Sequence, residues 1–356
     1  MLIRHSIISN ITSRLSTSLL YLGLGIWAIT GILLPVSLFA DEPMLNDKII
    51  IAHRGASGYL PEHTLAAKVL AYGMGVDFIE QDVVLSRDKI PVVLHDLELN
   101  ATTNVKQVFP NRARKDGKFY VIDFDLSELK QLNVTARIRK NGNPRYSGRF
   151  PPGRSEFKIA TLSEEIELIQ GMNKSTGKNI GLYTEIKSPA WHHEQGYDLS
   201  TAVLQTLSDY GYTNASDNVL LQCFDPAELL RVKNELNSNL RLVQLIGENA
   251  WNEADTDYNK MHSKAGLQKI AIYASGIGPS IDHILKVRNG EIQSTTLVKD
   301  AHDLGMVVHP YTLRKDKLPS YVNSFEELME LLFVKAGVDG VFTDFPDLAV
   351  QFLKSK

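Results

Sequence analysis

Glu80 and Asp82 are separated by a single residue in the segment DFIEQDVVL (77–85), which is rich in β-forming residues. In a strand, residues i and i+2 point to the same face, so the two carboxylates lie together on one side. Carboxylates placed in this way repel each other unless a cation or water separates them. The segment IGLYTEI (180–186) carries a third acid, Glu185, close to its end. Ligation by oxygen alone selects a hard cation, Ca²⁺ or Mg²⁺, over zinc.

A second interpretation of these acids is two unrelated surface strands with charged outer faces. Either strand alone favours that interpretation, because charged residues are usually solvated. The two strands together favour a metal site, because each acid pattern stands directly before a loop. The inward face of a barrel is normally aliphatic, and an acid pair there is costly unless a metal compensates it.

Two histidines and two cationic residues also stand at predicted strand ends. His53 follows the segment KIIIA (48–52), and His95 ends the segment PVVLH (91–95). Such a pair can act as general acid and base near neutral pH. Arg54 and Lys187 add the fixed positive charges that a phosphate oxyanion requires. Two imidazoles, two cations and one divalent metal site indicate the chemistry of phosphodiester cleavage.

The rest of the chain alternates between short β-rich runs and helical patterns. Helices are predicted at HTLAAKVLAYGMG (63–75) and SFEELMELLFVKAGVDG (324–340). This alternation predicts an α/β fold with a parallel sheet, and we expect a TIM (β/α)₈ barrel with an insertion after the second strand. No Gly-x-Gly-x-x-Gly turn follows the first run, which disfavours a dinucleotide site. The predicted strands are 48–52, 77–85, 91–95, 180–186, 218–224, 240–246, 269–274, 306–312 and 339–344.

The predicted insertion covers roughly residues 100–160. It is basic, poor in aliphatic residues and contains two adjacent prolines. One interpretation is a solvated surface loop. The other is a cover over the barrel mouth whose positive charge attracts an anionic substrate.

The first forty residues have the order of a secretory signal peptide. Two arginines and no acid precede an almost wholly apolar run at 19–34, and a small residue, Ala40, precedes the charged sequence DEP. The alternative is an uncleaved membrane anchor, because the apolar run is near the lower limit for spanning. We expect residues 1–40 to be removed, leaving a barrel domain over 44–356 with no stable membrane anchor. Losing two arginines changes the net charge from -3 to -5.

The composition gives ordinary globular values, with 44% hydrophobic and 22% charged residues. The negative net charge does not indicate a nucleic-acid partner. The single cysteine, Cys223, cannot form an internal disulfide, so cysteine usage does not fix the compartment.

Five motifs resemble those of the glycerophosphodiester phosphodiesterase family, closest to its periplasmic bacterial form with a long insertion. The resemblance covers nearly all of residues 44–355. It implies a TIM barrel, Ca²⁺ dependence, a periplasmic location and hydrolysis of glycerophosphodiesters to sn-glycerol 3-phosphate and an alcohol. The partner it implies is a small-molecule substrate, and a homodimer is left open. The motifs are AHRGASGYLPEHT, EQDVVLSRD, VVLHD, TEIKSP and DGVFTDFPD.

The resemblance also implies roles for individual residues. The catalytic pair would be His53 and His95, with His53 as base and His95 as acid. The phosphate would be contacted by Arg54 and Lys187. The metal ligands would be Glu80, Asp82 and Glu185.

The first motif departs from the family's common form at one position. Its usual ending is Pro-Glu-Asn-Thr, and here His63 replaces the asparagine. His63 is therefore not assigned a catalytic role. We expect Glu62 to orient the residues that touch metal and substrate, and Gly55 and Gly58 to allow close backbone approach to phosphate.

Two rival functions remain open at this stage. A lipid-directed phospholipase or phosphoinositide-specific barrel would be expected to carry an exposed apolar rim, which the basic insertion does not supply. A binding protein that keeps the barrel but works by adhesion would not need two histidines and three acids.

Weaker candidates lie outside the five motifs. The segment WHHEQG (191–196) is predicted as a loop after a strand, where it is more simply a substrate contact or a surface loop than a metal site. Gln222, Tyr311 and Phe345 stand at or just past predicted strand ends. Each either lines the barrel mouth or packs in the core.

Overall fold

The structure is a computed structural model that describes residues 48–154 and 156–356. The signal peptide predicted at 1–40 lies outside the described residues. Among the described residues, no helix has the length and apolar content needed to cross a membrane. The strands are β1 Ile49–Ala52, β2 Phe78–Leu85, β3 Pro91–Val93, β4 Gly181–Ile186, β5 Val219–Cys223, β6 Arg241–Ile246, β7 Gly276–Pro279, β8 Leu285–Arg288, β9 Glu291–Ser294, β10 Val307–Val308 and β11 Gly340–Thr343.

Helices follow most of the strands. The helical segment that precedes β11 begins as an α-helix at Phe325 and continues as a π-helix over Glu330–Ala336. Short 3₁₀ helices lie at Val121–Asp123 and Asn249–Trp251. The α-helices are α1 Leu65–Met74, α2 Val105–Val108, α3 Leu126–Leu129, α4 Leu162–Thr176, α5 Pro189–Glu194, α6 Leu199–Asp209, α7 Pro226–Asn234, α8 Tyr258–Met261, α9 Lys264–Ile270, α10 Ile281–Ile284, α11 Leu297–His302, α12 Phe325–Met329 and α13 Pro346–Lys354.

Eight parallel strands form the predicted TIM barrel. Their order is β10-β7-β6-β5-β4-β2-β1-β11, with β3 added antiparallel to β2. The two ends of this sheet meet through the segment after β10, where Leu313 forms a parallel bridge with Thr343 and Pro310 accepts a hydrogen bond from Phe342 N at 3.0 Å. Parallel strands bring their carboxyl ends to one edge, so the loops after β1, β2 and β4 all reach the same mouth.

The lower part of the barrel interior is packed with apolar side chains. Tyr183 lies at its centre, where its hydroxyl contacts His309 Nδ1 at 3.0 Å. The outer face of the sheet packs against the helices in a larger apolar cluster. The interior cluster consists of Ile51, Phe78, Tyr183, Leu220, Val243 and Phe342.

The strand predicted at 269–274 is wrong. This segment is the end of α9 and the turn after it, and the strand follows at Gly276–Pro279. This strand contains two glycines and a proline, which are poor strand formers, so the sequence pattern did not predict it. The barrel needs the glycines, because a Cβ on Gly276 would lie 2.6 Å from Val307 Cγ2 and one on Gly278 would lie 2.6 Å from Leu245 Cδ2.

The basic insertion between β3 and α4 folds around an apolar cluster of its own. Phe124 and Leu129 are fully buried in this cluster, together with Val84 and Val92 from the β2–β3 hairpin. Most of its charged residues remain at the surface, but Arg137 and Arg149 reach back toward the barrel mouth. The insertion is therefore anchored to the barrel on one side by apolar packing and on the other by ion pairs.

Candidate active site

Glu80, Asp82 and Glu185 converge inside the barrel mouth, as the alternation along their strands predicts. Asp82 on β2 is the register partner of Glu185 on β4. All three carboxylates are buried, and one oxygen from each lies within 4.8 Å of the others. The three acidic side chains point into the barrel because they share strand faces with Phe78 on β2 and Tyr183 on β4. Those two aromatic side chains fill the barrel interior below the acids.

The electrostatics of these acids fit a bound cation. Burial raises the pKa of Glu80 to about 8 and raises that of Glu185 well above its usual range, because the charged forms are desolvated. Burial also opposes ionisation of Asp82, but His63, His95 and Arg54 together outweigh it and hold the pKa of Asp82 well below its usual range. Asp82 Oδ1 is buried and makes no hydrogen bond within the described residues. A hard divalent cation would satisfy this oxygen and restore the charge of its two neighbours.

His53 lies directly after β1, at the edge of the acidic cluster. Its Nδ1 donates to Asp344 Oδ1 at 2.6 Å, and its Nε2 is 3.9 Å from Glu80 Oε2. Burial lowers the pKa of His53 to about 4, so the ring is neutral near pH 7. With Nδ1 protonated and bound to Asp344, the lone pair lies on Nε2. His53 is thus arranged to accept a proton at Nε2.

His95 has a similar arrangement, although β3 ends at Val93, two residues before it. Its Nδ1 donates to Asp96 Oδ1 at 2.6 Å, and its side chain is about 29% exposed. Burial, together with the positive charges of Arg54 and Lys187, lowers the pKa of His95 to about 3. An anionic phosphodiester placed beside it would act in the opposite direction and favour its protonated form.

Arg54 and Lys187 are the two cations nearest the acids. Arg54 adopts a left-handed backbone with φ of 59°, which lets its own N–H donate to Glu80 Oε2 at 2.8 Å. Its guanidinium lies 2.9 Å from Glu62 Oε1 and 3.4 Å from Asp82 Oδ2. Lys187 Nζ donates to Glu185 Oε1 at 2.7 Å. Both cations therefore neutralise the acids in the absence of a metal.

All seven residues singled out from the sequence line one cavity of about 450 Å³ at the barrel mouth. Its outer wall contains Phe224, Trp251 and Tyr311, which are stacked edge-on or tilted at centroid separations of 5.9 and 6.4 Å. The cavity thus has a charged floor and an aromatic side. The seven residues are His53, Arg54, Glu80, Asp82, His95, Glu185 and Lys187.

The most important residue that sequence reasoning missed is Asp344. It stands just after β11, the strand paired with β1, so it lies beside His53 across the sheet. Burial alone would raise the pKa of Asp344, but Arg314, His53 and Arg149 together hold it below its usual range. The motif DGVFTD was recognised, and a pairing of the first and last strands of a closed barrel would have indicated this contact.

His63 lies behind the acids rather than in the cavity. Its Nε2 donates to Asp82 Oδ2 at 2.8 Å, while Lys68 Nζ donates to its Nδ1 at 3.3 Å. Lys68 in turn forms a fully buried ion pair with Glu165 at 3.0 Å. His63 therefore holds a carboxylate of the acidic cluster, consistent with leaving it out of the catalytic pair.

The weaker candidates have different outcomes. Gln222 lines the cavity and donates to Glu80 Oε1 at 3.1 Å, and Tyr311 also lines it. Phe345 does not line it, but packs edge-on against Tyr59 at 5.3 Å.

The segment WHHEQG is mostly helical, forming the end of α5 rather than the predicted loop. His192 is buried and its Nε2 accepts a hydrogen bond from Leu85 N. His193 lies near Asp198 and Glu228, but Arg231 already binds both of those carboxylates. The neighbouring guanidinium disfavours a metal there.

The glycines of the first motif are required by close packing. A Cβ on Gly55 would lie 2.8 Å from the Ala67 carbonyl carbon of α1, and Gly55 has a positive φ of 82°. A Cβ on Gly58 would lie 2.6 Å from the Asp344 carbonyl oxygen. These contacts with α1 and with the loop after β11 require both glycines, and backbone approach to phosphate at these positions stays a prediction.

The structure is an eight-stranded barrel with three acids at its mouth that could hold a metal ion. The model of the Glycerophosphoryl diester phosphodiesterase family matches residues 53–348. A glycerophosphodiester phosphodiesterase of Haemophilus influenzae is 44% identical over 88% of this chain and 92% of its own length. One of Treponema pallidum is 40% identical over 86% of this chain and 92% of its own length. The chain belongs to the glycerophosphoryl diester phosphodiesterase family.

Solved structures confirm the barrel. An Oleispira antarctica phosphodiesterase, in complex with its product sn-glycerol-3-phosphate, matches with a TM-score of 0.59 at 23% identity, over 86% of this chain and 96% of that one. A glycerophosphodiester phosphodiesterase from Agrobacterium tumefaciens matches with a TM-score of 0.57 at 19% identity, over 85% of this chain and 99% of that one. At these identities the likeness bears on the fold alone.

Proposed function

We propose that the protein hydrolyses glycerophosphodiesters, such as glycerophosphocholine and glycerophosphoethanolamine, to sn-glycerol 3-phosphate and an alcohol. The observation that carries this proposal is the single cavity that holds three carboxylates and two histidines, each histidine bound through Nδ1 to its own aspartate. Membership of the family and the names of the two relatives support the same substrate class.

The metal that we propose is Ca²⁺, with Mg²⁺ as the alternative. Glu80, Asp82 and Glu185 would hold it, because they offer only oxygen ligands and lie close enough to share one ion. When bound, such an ion neutralises charge that develops on the phosphate oxygens. Arg54 and Lys187, which pair with these acids, would then be released to bind the phosphate.

The proton transfers are assigned to the two histidines. His53 is neutral and presents Nε2 to the cavity, so it would remove a proton from the attacking oxygen. His95 would donate a proton to the leaving alcohol. Its pKa is lowered to about 3, and an anionic substrate beside it would favour its protonation. Asp344 and Asp96 keep each ring in the tautomer that points Nε2 at the substrate.

The attacking oxygen is proposed to be a neighbouring hydroxyl of the glycerol, which gives a cyclic phosphate that water then opens. This route requires a hydroxyl next to the phosphate ester. A diester that lacks this hydroxyl should not be turned over, and fast turnover of such a compound would exclude the cyclic route.

An assay with two substrates and a blank tests the proposed function. Purified protein is given glycerophosphocholine, vesicles of phosphatidylcholine, or no substrate, and release of choline is measured. Release from the soluble diester alone supports the proposal. Release mainly from vesicles would indicate a lipid-directed enzyme, and no release from either would favour a binding role.

The periplasmic form of the enzyme is also a proposal. The basic, apolar and small-residue order of residues 1–40 supports export and removal of this segment. Mass spectrometry of the exported protein should find a chain that begins at Asp41. An intact Met1 in a membrane fraction would favour an anchor instead.

A further inference from the structure

Arg137, an arginine of the insertion, binds the aspartate that orients His95. Its Nη1 donates to Asp96 Oδ2 at 2.6 Å. The same guanidinium donates to both oxygens of Glu62, from Nε at 3.0 Å and from Nη2 at 2.7 Å. Arg137 is mostly buried, with about 20% of its side chain exposed. One guanidinium therefore joins the insertion to the carboxylate behind His95 in a fixed, planar geometry.

A second arginine of the insertion binds the aspartate that orients His53. Arg149 Nη2 lies 2.7 Å from Asp344 Oδ2. The same side chain binds Asp316 through two parallel hydrogen bonds of 2.7 and 2.9 Å, and Tyr146 covers its face at 3.7 Å. Only 9% of the Arg149 side chain is exposed. Asp316 and Tyr146 thus fix the position of the Arg149 guanidinium that binds Asp344.

The two contacts have the same form. In each, the histidine Nδ1 takes one oxygen of an aspartate, and an arginine from the insertion binds the same carboxylate. Asp344 has a further partner, because Arg314, which follows β10, also donates to its Oδ2 at 2.8 Å. A carboxylate can rotate about its last torsion, so a histidine held by it alone is held loosely. A guanidinium on the second oxygen fixes the carboxylate plane and with it the imidazole.

We propose that Arg137 and Arg149 are positioning residues, through which the insertion sets the orientation of both His95 and His53. The insertion is then a structural part of the catalytic apparatus and not only a cover over the barrel mouth. This inference rests on the proposed function, because it needs the two histidines to act on a glycerophosphodiester.

The histidine roles allow a test that a general loss of structure would not mimic. Two substrates are compared: glycerophosphocholine, whose alcohol needs a proton to leave, and a glycerol phosphodiester of p-nitrophenol, which leaves without one. The variants are Arg137→Met and Arg149→Met. The matched control is Arg145→Met, because Arg145 is an exposed arginine of the same insertion that makes no ion pair within the described residues.

Substitution of a residue that orients a functional side chain typically costs about 10- to 100-fold in activity. Arg137→Met should lower kcat for glycerophosphocholine by roughly this factor beyond any loss of kcat for the nitrophenyl diester, because the loss through His95 as acid is specific to glycerophosphocholine. A loss through Glu62 and Arg54 would lower kcat for both substrates alike. Arg149→Met should lower kcat for both substrates, since His53 as base serves both. Because Arg314 still binds Asp344 in this variant, the loss should lie toward the lower end of this range. Arg145→Met should change neither.

The outcomes separate the inference from the function on which it rests. If the unaltered protein hydrolyses neither substrate, the proposed function itself is wrong. An active protein whose two methionine variants match Arg145→Met on both substrates would overturn the inference. Equal losses on both substrates for Arg137→Met would overturn the role of Arg137 toward His95. Should a methionine variant not fold in thermal unfolding, Arg137→Lys and Arg149→Lys, which keep the charge but lose the fork of donors, are judged by the same outcomes.

Discussion

Asp82 and Glu185 stand side by side on adjacent parallel strands, in register and facing the barrel interior. Strands in a sheet are separated by about 4.8 Å, so the fold itself brings the two carboxylates together. Burial raises the pKa of Glu185 well above its usual range, and the nearby carboxylates of Asp82 and Glu80 raise it further, so an ionised Glu185 is unfavourable there. A cation between them would remove this conflict, and several properties of the protein should follow from it.

Ca²⁺ should stabilise the folded protein. A ligand that binds only the folded state at about a hundred times its Kd adds about 2.7 kcal/mol. Thermal unfolding should therefore move to higher temperature when Ca²⁺ is added. Glu185→Gln should lose this shift, and Glu291→Gln, an exposed glutamate of β9, should keep it. A full Ca²⁺-induced shift in Glu185→Gln would show that Glu185 is not a ligand.

His53 and His95 should each be needed for turnover. Loss of one general acid or base typically costs about 10²- to 10⁴-fold, so His53→Ala and His95→Ala should lower kcat by about that factor with the fold retained. A diester with an activated leaving group should rescue His95→Ala and not His53→Ala. Rescue of His53→Ala alone would reverse the two roles. His193→Ala changes an exposed histidine and serves as control.

Gly58 should not tolerate a methyl group. An added Cβ would lie 2.5 Å from the Phe345 ring and 2.6 Å from the Asp344 carbonyl oxygen, so Gly58→Ala should cost about 1–3 kcal/mol of unfolding free energy. Gly73→Ala is the matched control. Gly73 lies within α1 with nothing within 4 Å of the added atom, so alanine should stabilise by about 0.5–1 kcal/mol. Denaturant unfolding of both variants measures the contrast, and equal effects would contradict the packing.

Stability should fall in mild acid, in part because of His309. Burial lowers the pKa of His309 to about 4 from its ordinary value of 6.5. The unfolded chain therefore binds a proton that the folded protein does not bind between these two values. The contribution of His309 to the free energy of unfolding is complete above pH 6.5. It is lost as the pH falls toward 4, at up to about 1.4 kcal/mol per pH unit. His309→Gln should flatten this dependence, measured by denaturant unfolding at pH 5, 6 and 7, and the exposed His193→Gln should not. An unchanged slope in His309→Gln would contradict a neutral, buried His309.

The residues at the site could be predicted because their strands obey simple alternation. Glu80, Asp82 and Glu185 sit on strands of six and eight residues, long enough for the period of two to be read. The two histidines stand at or just past strand ends, where a parallel barrel collects its functional side chains.

The partners of these residues could not be predicted from local pattern. Asp344 is 291 positions from His53, and Arg149 reaches Asp344 from the middle of an irregular segment. Such contacts depend on barrel closure and on the path of the insertion, neither of which leaves a periodic signal. The position of strand β7 was predicted wrongly for a related reason. Its glycines are required by contact with neighbouring side chains, and glycine has a low strand propensity.

Hydrolysis of glycerophosphocholine before and after removal of divalent metal tests the central claim most directly. The protein is dialysed against a chelator, assayed for choline release, and assayed again after Ca²⁺ is restored. The acidic triad predicts a loss of at least about a hundredfold on chelation and recovery with Ca²⁺. Full activity after exhaustive chelation would contradict the account and show that Glu80, Asp82 and Glu185 serve the structure alone.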